Sequence, residues 1–63
     1  MTQKELLYLE DAIGHEKNII SIVEDTKERL EDEELKEFLE SELQEHNNTL
    51  ESLMSKLEAS SNE

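Results

Sequence analysis

The sequence predicts an all-α protein: one antiparallel helical hairpin that dimerises into a four-helix bundle. Three observations carry this. Apolar residues recur in steps of three and four over most of the chain, the spacing that lines one face of a helix. Proline is absent and there is a single glycine among 63 residues, so the usual punctuation of turns and strands is missing. The apolar stripe slips by one residue after Leu30. Extended past Leu30, the first stripe would run through Glu34, Glu37, Ser41, Gln44 and Asn48, all polar, whereas the apolar pattern resumes at Leu35. A tight turn fits that slip better than one continuous helix.

Taken in order, the chain opens with Thr2 followed three residues later by Glu5, a capping box in which hydroxyl and carboxylate each accept a free backbone N–H. The first helix is expected over about residues 3–30. Its core line is Leu6, Leu9, Ile13, Glu16, Ile20, Val23, Lys27 and Leu30, and Ala12, Ile19 and Thr26 widen one side of it. Gly14 lies off this line and weakens the helix by about 1 kcal/mol relative to alanine, a cost that close approach of another backbone would explain. A turn is expected over residues 31–33, with Asp32 as N-cap of a second helix that begins with the acidic pair Glu33 and Glu34. The second helix is expected over about residues 33–58, along Leu35, Leu39, Leu43, His46, Leu50, Leu53 and Leu57. Residues 59–63 are small and polar and read as a frayed tail.

Composition limits what the chain can do. Sixty-three residues make one small domain with a marginal core, which is why a lone hairpin is expected to associate with its own copy. With no cysteine, disulfides and thiolate metal sites are unavailable. Eighteen acidic residues against six basic ones give a net charge of −12, which excludes a nucleic-acid footprint and disfavours anionic membranes. Such charge at 33% hydrophobic content also raises disorder, and the ordered apolar periodicity argues against it. No apolar run approaches a membrane span, and the first residues lack signal-peptide character, so the expected place is the cytoplasm. No nucleophile arrangement, phosphate loop or CxxC is present, and no enzyme activity is expected.

The one chemically informative feature is a polar interruption of both stripes. Residues equally far from the turn lie side by side, which pairs Leu6 with Leu57, Leu9 with Leu53, Ile13 with Leu50 and Val23 with Leu39. The same rule sets Glu16 opposite His46 and puts Ile20 near Glu42 and Leu43. A buried carboxylate or imidazole must find a partner. Two readings follow: a Glu16–His46 pair that fixes register, or a metal site in which Glu16, Glu42 and His46 hold iron, manganese or zinc. One hairpin offers three such ligands and a dimer six, as in di-iron carboxylate bundles. His15 reads as a boundary histidine, and Glu45 as a solvated side chain or an outer-shell partner.

The stretches Leu9-Glu10-Asp11-Ala12-Ile13-Gly14-His15-Glu16-Lys17, Glu34-Leu35-Lys36-Glu37-Phe38-Leu39 and Gln44-Glu45-His46 resemble small ferritin-like proteins of the rubrerythrin and spore coat F type, over about residues 6–54. The resemblance implies a ferritin-like bundle, here assembled from two hairpins, and a spore-associated place. It also implies metal ligation by a first-helix glutamate, matched by Glu16, and by a Glu-x-x-His motif on the second helix. This chain has Leu43 three residues before His46, so Glu42 stands in for that carboxylate. A third function, a helical hairpin that docks on a signalling protein such as a response regulator, lacks the signature motif, since Ser41-Glu42-Leu43-Gln44-Glu45 only scrambles its residue types.

Overall fold

A computed structural model describes residues 1–61 and shows two helices, α1 (Gln3–Arg29) and α2 (Glu33–Ser61), folded against each other as an antiparallel hairpin. The molecule measures 47 × 14 × 11 Å, one helix pair long and one layer thick.

Each helix starts where a side chain can satisfy the first free N–H groups. Thr2 Oγ1 accepts from the Glu5 amide at 3.1 Å while Glu5 Oε1 accepts from the Thr2 amide at 2.8 Å, so the expected capping box is complete. The Thr2 amide first, and the Thr2 side chain after it, hold the Glu5 carboxyl below the ordinary glutamate range. At the turn, α1 ends at Arg29, a residue earlier than expected. Leu30 leaves the helix in extended conformation (φ −87°, ψ 146°), and its N–H donates to Lys27 O at 3.3 Å. Asp32 then caps α2, its Oδ1 accepting from Leu35 N at 2.9 Å and its carbonyl from Lys36 N at 3.1 Å. The connection needs neither glycine nor a positive φ.

At the far end the expectation fails. Helix α2 does not stop near Glu58 and fray; it continues through Ala59 and Ser60 to Ser61. Alanine is the best helix former, and the Ser60 hydroxyl satisfies the Leu57 carbonyl at 2.9 Å. Ser60 is also half-buried beside Met1, Thr2, Gln3 and Leu6, the start of α1. Asn62 and Glu63, also assigned to the tail, lie outside the described residues.

The packed stripe of α1 runs through Leu6, Leu9, Ala12, Ile13, Glu16, Ile19, Ile20, Val23, Lys27 and Leu30, and that of α2 through Lys36, Leu39, Glu42, Leu43, His46, Leu50, Leu53, Leu57 and Ser60. Leu35 does not head the second stripe; it is 50% exposed, and Lys36 is the half-buried residue there instead. Only Ile13, Ile20 and Leu43 are buried among the described residues. Two helices in a single layer leave a core one side chain deep.

Candidate functional site

The buried residues mark the site by bracketing it. Ile13 and Ile20 lie one turn before and after Glu16 on α1, and Leu43 sits between Glu42 and His46 on α2. The helices are therefore in closest apolar contact where the sequence places its polar groups. Glu16 and His46 meet as expected: His46 Nδ1 lies 2.7 Å from Glu16 Oε2, thirty residues apart in sequence, with the Glu16 side chain 17% and the His46 side chain 30% exposed. An ionised carboxylate only accepts, so Nδ1 carries the hydrogen and donates it. The other ring nitrogen, Nε2, lies 3.9 Å from Glu42 Oε2 one turn earlier on the same helix.

All three candidate ligands, Glu16, Glu42 and His46, thus fall in one layer. They are arranged around the imidazole ring, however, and not around a common point. Glu16 occupies one ring nitrogen and Glu42 stands near the other, so the three do not converge as a ligand set for iron, manganese or zinc. No group of three or more His, Asp or Glu side chains is placed to hold a metal ion among the described residues. The geometry recasts Glu16 as the group that fixes the ring's tautomer and orientation. It leaves His46 Nε2 and the Glu42 carboxylate, 3.9 Å apart and each about a third exposed, without a hydrogen bond between them.

Other sequence candidates stay at the surface. His15 is exposed and pairs with Asp11 one turn earlier at 3.4 Å. Glu45 is exposed, and its carbonyl accepts the Thr49 hydroxyl at 3.1 Å. One cross-helix contact escaped the sequence reading: Lys27, placed on the core line without a partner, forms an ion pair with Glu40 of α2. The level rule pairs Lys27 with positions 35–37, one turn short of Glu40, and the long lysine stem spans that difference. Lys27 also lines a shallow groove with Glu24, Glu28, Lys36 and Leu43. Buried side-chain polar atoms without a partner are absent among the described residues.

No helix among the described residues is long and apolar enough to cross a membrane. No family model, curated protein or solved structure matches the chain.

Proposed function

We propose that the protein is a self-associating structural and interaction element in which two hairpins form a homodimeric four-helix bundle of ferritin-like type. One observation carries this reading. The hairpin exposes 5065 Å², whereas a folded monomer of 7.4 kDa is expected to expose about 4200 Å². The excess, about 850 Å², is close to the share of one partner in a standard-sized protein interface, about 800 Å². Much of the excess is apolar: Tyr8, Ile22 and Phe38 are each more than half exposed. Within this reading the Glu16–His46 pair fixes the register of the two helices. Sedimentation equilibrium at micromolar concentration should give about twice the chain mass of 7.4 kDa. A folded, monodisperse species of the single-chain mass would overturn the proposal.

A second reading, binding of a divalent cation, is favoured by the pairing of His46 Nε2 with Glu42 at 3.9 Å. Two donors are too few for a tight site, and a second hairpin doubles them. Zn²⁺, Mn²⁺ or Fe²⁺ at micromolar concentration should then raise the melting temperature by mass action on the folded state. A Glu42→Ala variant should lose that response. No shift with any of the three ions at neutral pH removes this reading.

A further inference from the structure

The stripe that covers the second copy can be identified from positions the hairpin itself leaves out. Beside the packed line of α1 runs a second series at steps of four and three: Tyr8, Ala12, His15, Ile19 and Ile22. It carries no acidic side chain in a chain that is 38% charged. Tyr8 and Ile22 are 64% and 56% exposed, and Ile19 is only half-buried by α2. Since both helices are right-handed and antiparallel, residues displaced toward the same sense of rotation on each lie on one side of the hairpin. The groove lined by Glu24, Glu28, Lys36 and Leu43 confirms this for one side. The other side therefore joins the Tyr8–Ile22 series to Leu35, Phe38 and Glu42 of α2, two apolar residues near the turn and polar positions beyond them.

We propose that a second copy of this chain seats on that side with its α1 antiparallel to the first α1, about a two-fold axis that passes near His15. The inference rests on the dimeric reading above and specifies its face and direction. A two-fold contact is self-complementary. Run antiparallel about His15, the series sets Tyr8 against Ile22, Ala12 against Ile19 and His15 against its own copy. Small meets large at the Ala12–Ile19 level, and apolar area meets apolar area on both sides of His15. The alternative two-fold arrangement has both turns at the same end and lays α1 of one copy over α2 of the other. It would set Ile19 against Glu42 and Glu45, whereas the antiparallel arrangement lays α2 over α2 and turns those carboxylates toward the level of Ser52 and Lys56, where a lysine can pair with them. Because Glu16 lies one residue from the axis position, the antiparallel arrangement also brings both Glu16–Glu42–His46 layers to the same height at the middle of the bundle.

The chain has no cysteine, so single-cysteine variants report the contact without background. His15 is exposed, and His15→Cys should leave the hairpin intact. Across the proposed axis the two thiols fall within the Cα separation a disulfide needs, about 4.4–6.8 Å. Under mild oxidation at micromolar concentration His15→Cys should form a covalent dimer at least tenfold faster than Lys17→Cys, an exposed position about 160° away around α1. A mixture of Tyr8→Cys and Ile22→Cys proteins should cross-link with each other and not with themselves. If sedimentation shows a dimer while His15→Cys links no faster than Lys17→Cys, the antiparallel α1 contact is wrong and the dimer stands. If sedimentation shows a monomer, both proposals fall.

Discussion

Replacing His46 by leucine should destabilise the protein, while replacing Glu16 and His46 together should not. The single change removes a bond of 2.7 Å to a carboxylate whose side chain is only 17% exposed. A hydrogen bond to a charged group is worth about 1.5–3 kcal/mol. Residual solvent at Glu16 offsets part of the loss, which leaves about 1–2 kcal/mol. For a domain of this size each kcal/mol moves the melting temperature by about 4–8 °C, so His46→Leu should melt about 5–15 °C below the native protein. In the Glu16→Leu, His46→Leu protein no orphaned carboxylate remains. Each leucine, in a half-buried position, recovers half of the roughly 1.5–3 kcal/mol of a fully buried side chain. Gain and loss then nearly cancel, and the double variant should melt at or above the native temperature, as replaced buried ion pairs often do. The assay is thermal unfolding followed by circular dichroism at one fixed protein concentration, because association makes the midpoint concentration-dependent. A double variant that melts below His46→Leu would refute the reasoning. So would a His46→Leu midpoint within 2 °C of native, since the bond would then carry no stability.

Gly14→Ala should raise the melting temperature by several degrees, because a Cβ there meets nothing within 4 Å and an exposed helical glycine costs about 1 kcal/mol relative to alanine. A lower midpoint would mean that another backbone packs on that face. The capping box should be acid-labile: with the folded Glu5 carboxyl held below its ordinary value, its contribution is present at neutral pH and is lost as pH falls through that lowered value, below about 4.3. A pH titration of Glu5 by NMR should show the depressed midpoint, and Thr2→Ala should raise it partway, since the residue 2 amide, the larger cause, still donates to the carboxylate; a full return to the ordinary range would assign the whole shift to the Thr2 side chain.

How much could be read from the sequence depends on how local the deciding physics is. Thr2 and Asp32 were legible as caps because a cap is settled within four residues. The hairpin and its polar layer were legible because periodicity fixes which face is buried, and the one-residue slip after Leu30 counts outward to a Glu16–His46 pairing. Leu35 was misplaced because hydrophobicity favoured it over Lys36, whereas the helix phase set by Leu39 and Leu43 half-buries position 36. Lys27–Glu40 escaped because a long, flexible side chain can reach one turn from its level. The end of α2 was missed because residues with weak individual preferences were held in place by Ser60 bonding Leu57 and lying beside the start of α1, a long-range contact. The three candidate ligands were brought together correctly, but their orientation around the ring is a matter of rotamers that spacing does not encode.

The plain connector of Leu30, Glu31 and Asp32 bears on how the chain partitions its own contacts. No residue there holds a backbone conformation that a helix could not replace. Were these three residues helical, positions 3–61 would form a rod about 88 Å long at 1.5 Å per residue, against 47 Å for the hairpin. Two such rods side by side and antiparallel would bring Glu16 of one level with His46 of the other, but the one-residue slip after Leu30 would turn the two stripes of each rod about 100° apart. What separates hairpin from exchanged rods is therefore that slip and the Asp32 cap, together with the effective concentration, of millimolar order for a short tether, at which each α1 finds its own α2. A change at residue 32 would act less on how tightly the helices pack than on whose helix each one packs against.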